Sequence, residues 1–320
     1  MMNGKHWVII SLAWYKQMME GEDAKVKIAF ITDLHSCYYM TDNHEFWSER
    51  QKMKYGGDKM ILVTGAQGFV GHKIMEMKDT IACPSLRGAS EDEVKCIVEE
   101  SGADVIIHTA AISDVRACEE DPESSYIANV QLPIYLAKAS KNRKLICFSS
   151  DQVYTGALED GPYTEDMAKP ANTYARHKLE MEQRVLEIQP DAVMLRAEWM
   201  YDYYQERPNY FTYMINAEDT LSFSSNEYRG ITYLKEVVGN MSNVIALPGG
   251  VYNFGSETTK SMYDITREFL NVIGKDIRLE DVPARHNLWM NCEKARGFGV
   301  EFSSVSEGLL KCAKDYHFTA

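Results

Sequence analysis

The stretch MILVTGAQGFVG, residues 60–71, decides the fold of this 320-residue chain. Its first half is a continuous apolar run, which is typical of a strand buried on both faces. Its second half has the spacing G-x-x-G-x-x-G, which between a strand and a helix is typical of a turn that binds a dinucleotide. Gly65 permits the tight turn, Gly68 lets the backbone approach a pyrophosphate, and Gly71 lets the helix pack closely on the strand. The predicted cofactor contacts in this turn are Gly65, Gln67, Gly68, Phe69, Val70 and Gly71.

Apolar runs alternate with helical patterns after this turn. The predicted strands are Met60–Thr64, Asp104–Thr109, Lys144–Ser149 and Ala192–Leu195, and the predicted helices are Gly68–Met77, Ser90–Ser101, Pro122–Ser140 and Thr173–Ile188. Pro133 should kink the third helix or mark a break in it. The alternation predicts an α/β fold with a doubly wound parallel sheet. We expect an N-terminal extension of unknown role (1–58), a cofactor-binding domain (59–196) and a smaller C-terminal α/β substrate lobe (197–320), with some strands of the lobe returning to the sheet.

Charge and cysteine content narrow the function classes. The formal net charge is −13, which argues against binding to nucleic acid or to an anionic membrane, because phosphate recognition needs a cationic face. The seven cysteines include no C-x-x-C pair, so we expect no disulfide framework and no metal site. The longest early apolar run, Trp7–Trp14, is far shorter than the roughly 20 residues that span a bilayer. We therefore expect a cytoplasmic protein.

The residues about 20 positions after the first glycine indicate which dinucleotide binds. An Asp or Glu there would bind the ribose 2′-hydroxyl of NAD(H). Residues 82–88 read ACPSLRG, with no acid and one arginine. The Arg87 guanidinium either holds a 2′-phosphate through two hydrogen bonds or is an ordinary surface arginine. We therefore favour NADP(H) and keep NAD(H) as the alternative.

A second set of residues has the composition of a catalytic site. Ser150 follows a predicted strand, and the carboxyl ends of strands line the ligand crevice of a doubly wound sheet. Tyr174 and Lys178 lie four residues apart on a predicted helix and so share one face. An ammonium beside a phenol should lower the Tyr174 pKa from its reference value of about 10. Ser150 would donate a hydrogen bond to the substrate oxygen on which negative charge develops.

The order of these motifs resembles that of the extended short-chain dehydrogenases/reductases, over roughly residues 59–315. His108–Ala111 (HTAA) resembles the segment that lines the cofactor after the fourth strand, and Asn129-Val130 resembles the Asn-Val of the following helix. The likeness is strongest to the dTDP-4-dehydrorhamnose reductase group, through Leu195–Tyr201 (LRAEWMY) and through Arg285–Leu288 (RHNL) followed by Lys294. Glu198 departs from the group, since a small hydroxyl residue is typical there, near the expected nicotinamide edge.

The resemblance implies a Rossmann fold and hydride transfer from a reduced nicotinamide to a keto carbon of a nucleotide-linked sugar. Tyr174 would give the proton, Ser150 would polarise the carbonyl, and Lys178 would hold the nicotinamide ribose. The implied cofactor contacts outside the glycine turn and Arg87 are Ala110, Ala111, Asn129, Tyr174 and Lys178. The candidate substrate contacts are Ser150, Asp151, Trp199 as a stacking ring, and Arg229 and Arg285 as clamps for a diphosphate.

Two other functions stay open at this stage. An NAD-dependent epimerase or dehydratase of nucleotide sugars would have the same fold. A non-catalytic, NADP-binding regulatory subunit would also keep the fold, although all three catalytic positions are present. In each case the expected ligand is a small molecule, and a homodimer is an open alternative to a monomer.

Overall fold

The computed structural model of the chain describes residues 28–33, 36–40, 59–204, 207–284 and 286–319. The chain forms two units, residues 1–59 and 60–320. In the first unit the described residues form two antiparallel strands, β1 (Ile28–Asp33) and β2 (Ser36–Met40). The rest of the predicted N-terminal extension lies outside the described residues.

A six-stranded parallel sheet forms the centre of the second unit. The strands of this unit are β3 (Ile61–Thr64), β4 (Thr80–Ala82), β5 (Val105–His108), β6 (Lys144–Ser150), β7 (Val193–Ala197), β8 (Trp199–Tyr201), β9 (Leu221–Phe223), β10 (Ile231–Tyr233), β11 (Gly250–Phe254) and β12 (Leu279–Asp281). In the central sheet they lie in the order β11-β7-β6-β5-β3-β4. The four predicted strands are present to within two residues at each end, and the predicted fold class is confirmed.

The helices of this unit connect the strands or follow the last of them. They are α1 (Gly71–Ile74), α2 (Glu91–Ser101), α3 (Val115–Glu120), α4 (Pro122–Tyr126), α5 (Leu132–Ala139), α6 (Thr173–Ile188), α7 (Tyr210–Ile215), α8 (Leu234–Ala246), α9 (Met262–Val272), α10 (Glu293–Arg296) and α11 (Val305–Asp315). The prediction of a helix over Gly68–Met77 was wrong in extent, because α1 has only four residues. The chain has to turn into β4 directly afterwards, and Asp79 takes a left-handed φ of 61° to do so.

The break expected near Pro133 is present as a change of helix type. A π-helical turn, Ile127–Gln131, separates α4 from α5, and Pro133 lies in the first turn of α5. Proline has no N–H to donate and its ring would clash with the carbonyl four residues earlier in a regular α-helix. The wider π-helical turn immediately before Pro133 avoids that clash.

Both faces of the central sheet are covered by apolar packing, as a doubly wound fold requires. Alternate residues of β3 point to opposite faces: Ile61 and Val63 belong to one buried cluster and Leu62 to the other. The same alternation holds in β5, where Ile106 is on the face opposite to its two neighbours. This explains why the sequence shows continuous apolar runs at these strands.

The C-terminal part of the chain contributes to two regions. Two parallel strand pairs, β8 with β10 and β9 with β12, lie outside the central sheet and pack with α9 and α11 around an aromatic-rich core. In contrast, β11 pairs with β7 as an edge strand of the central sheet. Within the described ranges, every helix is too short or too polar to cross a membrane.

Candidate active site

The glycine turn is closely packed against its own start and against the end of β5. Gly65 has a φ of +68° and its carbonyl accepts a hydrogen bond from the Gly68 nitrogen at 2.8 Å. A Cβ on Gly71 would lie 2.1 Å from the Gly65 oxygen, and a Cβ on Gly65 would lie 2.8 Å from the Ala110 nitrogen. Only glycine fits at either position, so the backbone forms a narrow cradle. Such a cradle fits a dinucleotide diphosphate, which has to approach main-chain N–H groups closely.

The other predicted turn and loop contacts surround this cradle. Gln67 and Gly68 are exposed on the turn, and Phe69 and Val70 are half-buried beside it. The loop after β5 is fixed to β3 by the Thr109 hydroxyl, which donates to the Thr64 carbonyl at 2.7 Å. In that loop Ala110 is half-buried against Gly65 and Ala111 is exposed.

Asn129, an expected cofactor contact, binds the backbone of the loop after β5. It is fully buried, and both ends of its side-chain amide bind the backbone of Ile112: Nδ2 donates to the carbonyl at 2.9 Å and Oδ1 accepts from the nitrogen at 3.1 Å. Nδ2 also donates to the Ser125 hydroxyl at 3.2 Å. Through these hydrogen bonds the buried Asn129 side chain holds the 109–112 loop in place.

Arg87 lies on the same edge of the sheet as the glycine turn. It follows β4, which neighbours β3 in the sheet, and its side chain is exposed. In dinucleotide-binding folds of this type, the residue that contacts the adenosine ribose lies about 20 residues after the first glycine, the neighbourhood of Arg87.

Ser150, Tyr174 and Lys178 lie together at the carboxyl end of β6. All three are buried, with exposed fractions of 7%, 7% and 2%. The Ser150 side chain interacts with the Tyr174 phenol and acts to lower its pKa. Lys178 Nζ donates to the Phe148 carbonyl at 2.8 Å and lies 5.8 Å from the centre of the Tyr174 ring. The structure thus brings together the three predicted residues, although Ser150 lies 24 positions before Tyr174 in the sequence.

The electrostatics of this group differ from expectation in one respect. Burial raises the pKa of Tyr174, and the nearby Ser150 side chain only partly opposes the shift. The expected lowering of the Tyr174 pKa was therefore wrong for this structure, because desolvation of the phenolate is the largest effect. Burial lowers the pKa of Lys178 to about 8, so that its amine is still mainly protonated at neutral pH.

A buried ion pair fixes α6, the helix that carries Tyr174 and Lys178. Glu182 lies one turn beyond Lys178 and accepts hydrogen bonds from Arg196 Nη2 at 2.7 Å and from the Ser149 hydroxyl at 2.5 Å. Since Ser149 is on β6 and Arg196 on β7, this pair joins the helix to two strands of the central sheet. At the other end of α6, the Asn172 side chain accepts from the Ala175 nitrogen as an N-cap.

Three of the predicted substrate contacts form a cluster beside Ser150. The Ser150 hydroxyl donates to Asp151 Oδ1 at 3.1 Å, and Arg229 Nη2 pairs with Asp151 Oδ2 at 3.1 Å. The Arg229 guanidinium lies 5.5 Å from the centre of the Trp199 ring, which is 41% exposed. Arg229 belongs to the C-terminal part of the chain, so the cluster joins Ser150 to the predicted substrate lobe. The remaining predicted contact, Arg285, lies outside the described residues.

Glu198 is a buried acid next to this cluster. Its Oε2 accepts from the Thr232 hydroxyl at 2.9 Å, and Oε1 has no hydrogen-bond partner within the described part of the chain. Cβ atoms on Gly230 and Gly255 would lie 1.9 Å and 2.2 Å from its carboxyl oxygens, so the group fills a space that these glycines leave. Burial raises the pKa of Glu198 well above its ordinary range, which favours a neutral carboxyl. The sequence gives one sign of this buried acid: residue 198 is a glutamate, whereas the dTDP-4-dehydrorhamnose reductase group that the chain resembles has a small hydroxyl residue there.

Among the residues that the structure describes, no group of three or more His, Cys, Asp or Glu side chains is placed to hold a metal ion. The arrangement at the end of β6 can hold a dinucleotide, donate a proton from a buried phenol and polarise a carbonyl. Fold and site together are of the extended short-chain dehydrogenase/reductase type.

Comparison with known proteins confirms the family resemblance. The chain belongs to the family described as RmlD substrate binding domain, whose model matches residues 59–287. It is 28% identical over 234 residues to a dTDP-4-dehydrorhamnose reductase from Mycolicibacterium smegmatis, covering 68% of this chain and 70% of that protein. It is 27% identical over 279 residues to the methionine adenosyltransferase 2 subunit beta of Xenopus tropicalis, covering 76% and 83%.

The fold is also found in a solved structure. The crystal structure of dTDP-4-dehydrorhamnose reductase from Bacillus anthracis in complex with NADP matches with a TM-score of 0.71 at 21% identity, covering 81% of this chain and 100% of that one. At this identity the likeness establishes the fold.

Proposed function

We propose that the protein is an NADP(H)-dependent reductase that acts on a keto group of a nucleotide-linked sugar, as dTDP-4-dehydrorhamnose reductases do. The observation that carries the proposal is the convergence of Ser150, Tyr174 and Lys178 at the end of β6, on the edge of the sheet that bears the glycine turn. Family membership and the similarity to the M. smegmatis reductase support it.

The chain's own residues supply the proton and the charge for such a reduction. A bound reduced nicotinamide would supply the hydride. Because its pKa is raised, Tyr174 is protonated at neutral pH and can give its proton to the carbonyl oxygen. Ser150 can donate a hydrogen bond to the same oxygen while negative charge develops there. The positive charge of Lys178, 5.8 Å from the ring centre, stabilises the phenolate left behind.

The cofactor would lie across the glycine turn and the 109–112 loop. The cradle formed by Gly65 and Gly71 would take the diphosphate, and Lys178 would hold the nicotinamide ribose. We favour NADP(H) because Arg87 is exposed at the end of β4, where a 2′-phosphate would lie. The NADP complex of the B. anthracis protein agrees with this choice, and NAD(H) is the alternative.

The substrate would lie between Ser150 and the Arg229 cluster. Its anionic diphosphate would bind the Arg229 guanidinium, which the structure pairs with Asp151, and Trp199 offers an exposed ring for stacking. We further propose Arg285 as a second clamp. A cytoplasmic location and independence of nucleic acid follow from the same assignment, and size-exclusion chromatography would decide between monomer and homodimer.

The decisive experiment is a reductase assay with NADPH and a 4-keto nucleotide sugar such as dTDP-4-dehydrorhamnose. We expect substrate-dependent loss of NADPH absorbance with the wild-type protein and its abolition by Tyr174→Phe. Tyr213→Phe is the matched control, since Tyr213 is 56% exposed and lies outside the site. Absence of turnover with all keto nucleotide sugars tested, or full activity of Tyr174→Phe, would contradict the proposal.

A non-catalytic subunit is the second candidate. The similarity to methionine adenosyltransferase 2 subunit beta favours it, because that protein is named as a subunit. In that case Tyr174→Phe would leave partner binding intact and the wild-type protein would bind NADP(H) without turnover. The epimerase or dehydratase alternative is separated from both by the ultraviolet spectrum of the purified protein, which would show tightly retained NAD.

A further inference from the structure

One segment from the C-terminal half of the chain covers the glycine turn. The Tyr204 ring is stacked on His72 with 3.5 Å between ring centres. Asp202 Oδ2 lies 3.5 Å from Lys73 Nζ. Arg207 Nη2 donates a hydrogen bond to the Gln67 carbonyl at 3.3 Å. Three separate contacts therefore join this covering segment, described by residues 202–204 and 207, to the turn and the helix that follows it.

The backbone of Arg207 is held by buried side chains. Asn209 Nδ2 donates to the carbonyls of Arg207 and Asp202, both at 2.8 Å. The Thr212 hydroxyl donates to the Arg207 carbonyl at 3.0 Å. Asn209 and Thr212 are 4% and 2% exposed. The guanidinium therefore extends from a fixed point of the chain toward Gln67.

Arg207 keeps hydrogen-bonding capacity for a ligand. Of its five N–H groups, the contacts among described residues use one, to Gln67, while the Tyr204 ring lies 5.8 Å from the guanidinium carbon. The other cation of this region, Lys73, is already paired with Glu76 at 2.9 Å and lies beside Asp202. Neither the Gln67 carbonyl nor the Tyr204 ring carries a negative charge, so neither neutralises the charge of the Arg207 guanidinium.

A cation is needed at this turn for an electrostatic reason. A dinucleotide brings two negative charges on its diphosphate to the cradle. In long helices the aligned peptide dipoles help to stabilise such charge, but α1 has only four residues. The chain as a whole carries a net charge of −13, so the surrounding field is unfavourable to anions. A guanidinium beside the glycine turn compensates for the short helix and for the negative charge of the chain.

We propose that Arg207, from the C-terminal part of the chain, binds the diphosphate of the dinucleotide. This inference rests on the cofactor part of the proposed function. It assigns to the lobe a cofactor contact that lies 140 residues from the turn in sequence, in addition to the contacts with substrate.

The test is a fluorescence titration of the purified protein with NADPH and with NADH. The variants are Arg207→Ala and Arg207→Gln; glutamine removes the charge but can still donate to the Gln67 carbonyl. Arg267→Ala is the matched control, since the Arg267 guanidinium also lies beside a tyrosine ring, 5.6 Å from that of Tyr263, and Arg267 belongs to α9, outside the proposed cofactor site. Thermal unfolding without ligand confirms that each variant is folded.

We expect both Arg207 variants to weaken binding of both dinucleotides by about 10- to 100-fold, the range of a charge-assisted hydrogen bond. The loss should shrink as salt is added, because screening weakens the wild-type contact. Wild-type affinity retained in both variants would overturn the proposal, and so would a loss confined to NADPH, which would place Arg207 at the 2′-phosphate. If the wild-type protein bound neither dinucleotide, the proposed function itself would fail.

Discussion

Replacing Gly71 by alanine tests the close packing on which the proposed cofactor site depends. A Cβ at this position would lie 2.1 Å from the Gly65 oxygen and 2.7 Å from the Gly65 carbonyl carbon. Real Cβ contacts are not found below 3.0 Å, so the two backbones would have to separate by about 0.9 Å. Both atoms are main-chain atoms and cannot rotate away. The start of α1 must therefore move relative to the turn.

The size of the effect follows from this displacement. Overpacking of a well-packed site costs about 1–3 kcal/mol, and each kcal/mol lowers the melting temperature of a domain of this size by about 2–4 °C. Because the displaced atoms form the diphosphate cradle, we also expect NADPH to bind about tenfold more weakly or worse, and a shift of about 1 Å can reduce turnover about 100-fold.

Thermal unfolding and NADPH titration of Gly71→Ala measure both effects. Gly239→Ala is the control, because Gly239 lies inside α8 and a Cβ there meets no other heavy atom within 4 Å beyond its own helix backbone and chain neighbours. We expect the control to be unchanged or more stable by about 0.5–1 kcal/mol, since alanine is the better helix former. Wild-type stability and NADPH affinity in Gly71→Ala would refute the reasoning.

Three further predictions concern groups that support the site. Glu182→Leu should reduce the free energy of unfolding by about 3–5 kcal/mol, because it leaves the Arg196 charge buried and unpaired. Urea unfolding measures this loss. The double variant Glu182→Leu with Arg196→Met should lose less unfolding free energy than Glu182→Leu alone. The pKa of Lys178 is about 8 in the folded protein and near 10.5 when unfolded, so between these pH values the unfolded state binds more protons and stability rises with pH. The wild-type protein should show this rise relative to Lys178→Met, and a parallel pH dependence of the two would contradict the assignment. Asn129→Leu should lower the free energy of unfolding by about 2–3 kcal/mol, because two buried hydrogen bonds to the Ile112 backbone are lost. The same loss frees the 109–112 loop, so NADPH should bind more weakly. Unchanged NADPH affinity would show that the loop is held in another way.

The parts of the structure that sequence predicted well depend on local or nearly local rules. α6 begins and ends at the predicted residues, Thr173 and Ile188, because an Asn cap precedes it and its apolar spacing is regular. That helix places Tyr174 and Lys178 on one face by geometry alone. The strands were found because burial on both faces requires continuous apolar runs.

The predictions that failed concern properties that distant residues impose. α1 is shorter than its sequence pattern indicates, because the chain has to enter β4. The Tyr174 pKa is raised because elements from elsewhere in the chain exclude water from the phenol.

The amino-acid sequence by itself therefore determined the parallel sheet, the glycine turn and the pairing of Tyr174 with Lys178, because strand burial, turn conformation and helical spacing are encoded in neighbouring residues. Only the tertiary structure decided the contacts of Arg229 with Asp151 and of Arg207 with Gln67, which join residues 78 and 140 positions apart. No local pattern encodes such contacts, since they exist only after the sheet and the C-terminal part have packed. The same packing sets the desolvation, and with it the protonation states, of the buried groups at the site.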